Sequence, residues 1–422
     1  MSQDVFQTGF APALRWPLSI RHTKVEHDDR AGGIEEVTII GCPIGISPTP
    51  LILRRVVVPV LGLLTGAHTA ESIAEQVRQM GIDSQMVQEV ITLLDQYLFL
   101  DNDRFHRAAT EVKRVYGSLR ERAPAFAGGI YPAEPLDAKG FFDYLLQEGD
   151  GIKRPTGSLE LLIAPHIDYR RGGACYGKIY PEITALDADL CILVGTAHQY
   201  SPHMFHLTRK HFRTPLGVAR CDEDFVSNLA GRYGEERSFA DELLHKGEHS
   251  LELQIPFLTR LKPMMEIVPI LVGSFHEFVV ANRAPKEFDV YNDFVSGLVE
   301  SIQRYQKSGR RICFIAGVDM AHVGQEFGDE WELTDKKIEE ISTRDEQYLT
   351  CIKRHDLSGL FEHIASDQDA RRMCGFPSLY MIMDVLERLG VRYQAGSCFY
   401  DKSVDVASGC CVTYAGMSLY SQ

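Results

Sequence analysis

Three short apolar runs in this chain of 422 residues each end at a histidine. His166 follows LLIAP, His198 follows ILVGTA, and His322 follows FIAGVDMA. Runs of this kind, short and nearly continuous, are the pattern of strands buried on both faces. In an open α/β sheet, ligands and catalytic groups gather beyond the carboxyl ends of the strands. The three imidazoles are therefore candidates to meet at one rim. Imidazole is the commonest metal ligand, and a cluster of it suggests one transition-metal ion. One such histidine alone reads more readily as a hydrogen-bonded core or surface group; the repetition shifts the reading to metal. Carboxylates stand close by, Asp168 beside His166 and Asp319 beside His322. Two histidines and a carboxylate form the facial triad of non-haem Fe(II) oxygenases, whereas three histidines come closer to Zn(II) chemistry. Arg170 and Arg171 follow, either as partners for a substrate carboxylate or as solvated loop residues.

A fourth group lies in LLHKGEHSLELQIPFL, Leu243 to Leu258. His245, Glu248 and His249 spell the H-x-x-E-H of a zinc hydrolase, in which two histidines on one helical face hold the metal and the glutamate is the base. Gly247 opposes a helix at that turn. The spacing of Leu251, Ile255 and Leu258 instead starts the helix near Glu248. That leaves His245 in the preceding loop and puts Glu248, His249 and Glu252 at a helix N-terminus pointing to the rim. The candidates these patterns leave are His166, His198, His322, Asp319 and Asp168 for the metal, and His249, His322 and Asp168 for catalytic groups.

The elements that must position these residues divide the chain in two. Its length argues for two domains, and 45% apolar with 24% charged residues is the balance of a folded protein. A net charge of −14 argues against a nucleic-acid surface. No apolar stretch reaches the roughly 20 residues of a membrane helix, and MSQDVFQTGF has no leader pattern. The ten cysteines show no C-x-x-C spacing, so reduced thiols in a cytoplasmic protein are expected. From about residue 37 to 105 the pattern predicts a small α+β unit: a strand in EEVTIIG, helices in LILRRVVVPVLGLLTGA, TAESIAEQVRQMG and DSQMVQEVITLLDQYLFL, then a short hairpin in FLDNDRF. Three helices and a β element are the layout of a winged helix. RHTKVEHDDRAGG before it and HRAATEVKRVYGSLRERAPAF after it read as exposed connections, the second partly helical. Beyond residue 150 the runs LELLIAPH, DLCILVGTAH, EIVPILVGS and RICFIAGVDMAH alternate with helical periodicity, an α/β pattern.

The helical unit resembles the PqqD-like peptide-recognition domains. That resemblance, with the scarcity of Lys and Arg between Thr69 and Asp103, implies a peptide or protein partner rather than DNA. The second half resembles the Memo family, relatives of the LigB-type class III extradiol dioxygenases that occur in bacteria as protein B of the AmmeMemoRadiSam system. AFAGGIYPAE, APHIDYRRGGACYGKIY, LVGTAHQYS, GEHSLELQIPFL, GVDMAH, CGFPSL and SVDVASG stand in the family's order. The resemblance implies a central mixed sheet flanked by helices over residues 122–422, behind residues 1–36, a winged-helix-like domain at 37–105 and a linker at 106–121. It implies that His166 and His198 are ligands, with the family's cysteine-type third ligand falling on Ala321, which cannot coordinate. Asp319, Asp168 or His322 would then complete the set. The activity implied is oxidation by Fe(II), with Zn(II) as the other metal; a metal-binding scaffold without turnover and a zinc hydrolase are the alternatives.

Overall fold

The computed structural model describes residues 10–26, 34–47, 49–153 and 157–422. The chain forms two compact units, Met1–Leu119 and Arg120–Gln422. The region read for a leader lies almost entirely outside the described residues. No helix among the described residues is long and apolar enough to cross a membrane.

In the first unit β1 (Ser19–Glu26), β2 (Ile34–Gly41) and β3 (Leu51–Arg54) form an antiparallel sheet in that order. Four helices follow: α1 (Val58–Leu63), α2 (Ala70–Val77), α3 (Ser84–Gln96) and α4 (Asp103–Ser118). Their start signals are legible. Thr69 accepts from the Ser72 amide at 3.3 Å, and Asp83 accepts from that of Met86 at 2.8 Å, each meeting an orphan donor of the first turn. Ile40, Val60, Ile73, Leu94 and Phe99 make a core of the unit's own.

Three expectations change here. LILRR is a strand, not a helix start: Leu51 and Leu53 are buried while Ile52 and Arg54 are exposed, a period of two, and the helix waits for Pro59 in its first turn. FLDNDRF forms no hairpin. Leu100 makes a single bridge to Leu14, and the Asn102 side chain accepts from the Phe105 amide and opens α4 across the expected connection. The sheet therefore precedes the helices. RHTKVEHDDRAGG falls partly outside the described residues, and its described part, Arg21 to Glu26, belongs to β1.

The second unit is α/β. Its main sheet runs β12 (His322–Gly324), β14 (Cys410–Ser421), β5 (Leu159–Ala164), β11 (Ile312–Gly317), β6 (Leu190–Thr196), β10 (Glu266–Val272) and β7 (Phe205–Leu207), with β13 (Tyr393–Asp405) paired on β14. A small second sheet joins β4 (Glu121–Arg122), β8 (His211–Thr214) and β9 (Gly217–Ala219). The middle strands β5, β11, β6 and β10 are parallel, and the outer ones run antiparallel to their neighbours. This is the α/β pattern that the apolar runs implied and the helix-flanked mixed sheet that the resemblance implied.

Register does the positioning. Gly317 stands opposite both Ala164 and Gly195, so β5 and β11 end level and β6 runs one residue further, to Thr196. The residues that follow, Pro165-His166, Val318-Asp319 and Ala197-His198, emerge side by side. Gly317 is there because the neighbouring chain comes so close: a Cβ on it would lie 2.2 Å from the Ser250 carbonyl oxygen.

Because β1, Leu14 and Phe105 belong to the first unit's fold, a fragment of residues 1–119 should give a dispersed NMR spectrum and a cooperative melt. A fragment of residues 37–105 should be markedly less stable. Equal melting temperatures would show that the sheet edge and α4 contribute nothing.

Candidate metal centre

Three imidazoles meet beyond the strand ends. One ligand nitrogen from each of His166, His198 and His249 lies within 4.8 Å of the others. The rings of His198 and His249 stack at 4.5 Å between centroids, and the His166 ring meets them edge-on at 4.8 and 5.1 Å. His166 follows β5 and His198 follows β6. His249 opens the short helix His249–Glu252, whose N-cap is Glu248.

What orients the rings is the second nitrogen of each. His166 Nδ1 donates to the Gly317 carbonyl at 3.0 Å, since a carbonyl only accepts. His198 Nδ1 donates to Glu248 Oε1 at 2.9 Å, and His249 Nδ1 sits 3.3 Å from the same oxygen. Each ring thus has Nδ1 turned to a backbone or carboxylate oxygen, leaving Nε2 as the nitrogen available to a metal, the arrangement in which outer partners fix the tautomer and aim the metal-binding nitrogen. The donor set fits a transition-metal ion.

Glu248 is buried and fully engaged. Besides the two rings it accepts from the His198 amide at 3.0 Å and the Ser250 amide at 2.9 Å. Burial alone would raise its carboxyl; the His198 and His249 charges and these hydrogen bonds hold it well below the usual carboxylate range. The converse holds for His198, where burial disfavours the cation but Glu248 outweighs it and raises the ring above its ordinary value. Burial, with the charges of neighbouring rings added, holds His166 far below its usual range and His249 down at about 4.

The surrounding chain holds the cluster together. Gln254 Nε2 donates to the Pro165 carbonyl at 2.9 Å and to that of Ser250 at 3.0 Å, tying the residue before His166 to the one after His249. Arg122, almost fully buried, donates to the carbonyls of His245 at 2.6 Å and Glu248 at 3.0 Å and pairs with buried Glu252. Glu252 in turn accepts from the amides of Ala125 and Phe126 and from the Tyr131 hydroxyl. The turn that presents Glu248 and His249 is thus gripped from both sides.

The remaining candidates sit around the cluster in different roles. Asp319 Oδ1 accepts from the amides of His166 at 2.8 Å and Ile167 at 3.2 Å, and Oδ2 lies 3.7 Å from His166 Nε2. Burial pushes its carboxyl up to about 7 against those two bonds. His322 is outside the three-ring group; its Nδ1 lies 3.2 Å from the Met320 carbonyl, and burial holds it near 4. Asp168 is engaged as a helix cap: it accepts from the Arg170 amide and from Arg171 Nε at the start of α6 (Tyr169–Ile179), the helix after α5 (Pro135–Leu146). Arg170 in turn is bound to the Gly129 carbonyl. His245 lies apart, against the His206 carbonyl, because Glu248 has extended backbone angles that break the helix between them.

The thiol beside the cluster comes from a different position than the resemblance implied. Ala321 is buried, its amide bonded to Thr413, and it offers no donor. Cys374 brings its Sγ to 3.4 Å from His166 Nε2. Its loop reaches in because Gly375 packs where a Cβ would lie 2.5 Å from the Asp319 carbonyl oxygen. The signal was in CGFPSL: a cysteine outside any apolar run, followed by glycine and a helix-opening proline.

Residues 122–418 match the family model described as Memo-like protein. The chain belongs to the Memo-like family. A MEMO1 family protein of Aquifex aeolicus is 27% identical over 385 residues, covering 90% of this chain and 96% of its own. That match is longer than the second unit, so it extends into the first. MEMO1 family proteins of Archaeoglobus fulgidus and Thermococcus kodakarensis are 27% and 28% identical, each over 298 residues, covering 98% and 94% of their own chains. Those matches are about as long as the second unit by itself.

A metal at Nε2 must displace the proton that Glu248 favours on His198, whereas His166 and His249 stay neutral far lower. Metal affinity should therefore fall on acidification with about one proton taken up per ion released, starting above the ordinary histidine value of about 6.5. Calorimetric metal titrations between about pH 5 and 8 read this. An affinity flat across that window would contradict the assignment.

Proposed function

We propose that this Memo-like chain is a non-haem iron-dependent oxidoreductase, with Fe(II) held by His166, His198 and His249. The supporting observation is the clustering of three imidazoles, one ligand nitrogen of each within 4.8 Å of the others, with each Nδ1 turned to an oxygen of the chain. Fe(II) is preferred to Zn(II) because a carboxylate and a thiol, Asp319 and Cys374, stand at the same imidazole, a mixed donor environment beyond the closed three-histidine set. When bound, the ion supplies Lewis acidity and one-electron chemistry towards O₂. The chain's own residues do the rest. Glu248 keeps His198 and His249 in one tautomer. Asp319, with its carboxyl near 7, holds or releases a proton next to His166 at neutral pH. Phe126 packs its ring edge-on 6.0 Å from that of His249 and forms an apolar wall beside the cluster.

A zinc hydrolase built on His245, Glu248 and His249 finds no support in the positions of these residues, since His245 faces away. For the first unit we propose a peptide partner. Among the described residues β1 is an edge strand, exposed from Ser19 to Val25, onto which an extended segment can add through main-chain hydrogen bonds. Tight, salt-dependent DNA binding by residues 1–119 would refute that partner class.

The test of the main reading is anaerobic purification with elemental analysis, followed by nitric oxide addition and electron paramagnetic resonance. About one iron per chain and a high-spin nitrosyl signal are expected, with both lost in His166→Ala/His198→Ala. Stoichiometric metal retained by that double variant would refute the ligand assignment. Bound iron with neither a nitrosyl signal nor O₂ consumption would identify a metal-binding protein without turnover.

A further inference from the structure

A cavity of about 200 Å³ lies between the end of β10 and the start of the helix Phe376–Arg388. Ala197, next to His198, and Cys374 both line it, so it adjoins the metal centre. It is smaller than the roughly 300–1,000 Å³ of drug-sized sites, which suits a single ring or a short chain. Its walls are apolar, from Phe275, Val279 and Phe376. Such walls with a few polar groups are the usual make-up of a small-molecule site.

The charged groups on this cavity are Arg372 and Asp369, with His276 beside them. Arg372 is committed elsewhere. Its two terminal nitrogens bind Asp329 at 3.0 and 3.2 Å, and one of them also donates to the carbonyls of His322 and Ala370. Asp369 is only half committed. Oδ1 accepts from the Met373 amide at 2.8 Å, and Oδ2 takes no hydrogen bond among the described residues. A carboxylate oxygen is therefore the free charge on the cavity.

The backbone supports a functional reading of the same segment. Gln368, Asp369 and Arg372 have φ of 54°, 55° and 51°. Non-glycine residues in the left-handed region are uncommon, and such strain collects at ligand clamps and active sites. The strained residues stand in the segment that brings both Asp369 and Cys374 to the cavity wall.

We propose that this cavity binds a small primary amine. The ammonium pairs with Asp369 Oδ2, the apolar body lies on Phe275, Val279 and Phe376, and the far end reaches Cys374 beside His166. As a statement about the substrate this rests on the oxidoreductase reading; as a statement about binding it does not.

The experiment is anaerobic calorimetry on the full-length, metal-loaded protein with benzylamine, benzyl alcohol and benzoate. Benzylamine should bind saturably, one per chain, and more tightly than benzyl alcohol, while benzoate should not bind. Asp369→Asn should weaken benzylamine binding by about tenfold or more, the loss of a charge-assisted hydrogen bond. Asparagine keeps the Oδ1 acceptor and tolerates the left-handed backbone, so the variant retains fold and metal. The proposal is overturned if benzylamine shows no saturable binding, if benzoate binds more tightly than benzylamine, or if Asp369→Asn binds it as well as the parent. Benzylamine bound without O₂ consumption would remove the oxidoreductase reading alone. O₂ consumption without benzylamine binding would remove this one alone.

Discussion

One buried carboxylate holds the centre of this protein in shape. Glu248 accepts from the side chain and amide of His198 and the amide of Ser250, and it stands against the ring of His249. A charge so placed costs several kcal/mol unless it is paired and hydrogen-bonded. That demand makes the arrangement specific, because moving any one partner leaves the carboxylate exposed to an apolar interior. Glu248 stands there only because its backbone is extended between two short helices, and Arg122 binds its carbonyl to keep it so.

The sheet supplies the other half of the geometry. Parallel strands that end within one residue of each other deliver His166, Asp319 and His198 to one rim, and glycines at the strand ends let the His249 segment close over them. Gln254 then joins the two contributions by bonding to carbonyls on either side. The Aquifex relative aligns across more than the second unit, whereas archaeal relatives are nearly covered by a match of about its length. The three histidines that could hold a metal ion all belong to that second unit.

The sequence showed those parts of the site that local pattern determines. His166 and His198 are legible because each ends a short apolar run with the pattern of a buried strand. The break at Glu248 was visible from Gly247 and the leucine spacing, so His249 was placed at the rim, though as a proton carrier rather than a third ring of the cluster. Cys374 and Arg122 come from segments far away in sequence, and only the folded chain brings them to the cluster. In the first unit LILRRVVV is apolar at both helical and strand spacing. Burial of alternate residues against α1–α3 decides for the strand, a tertiary choice that periodicity does not contain.

The most direct test of the central claim is the metal affinity of Glu248→Gln, measured by competition with a chelator of known strength. The variant keeps the side chain's size but removes the charge and one acceptor that fix the two rings. The account predicts a loss of about 10- to 100-fold relative to the parent, the effect expected of an outer partner that orients metal-bound imidazoles. An affinity equal to that of the parent would contradict it.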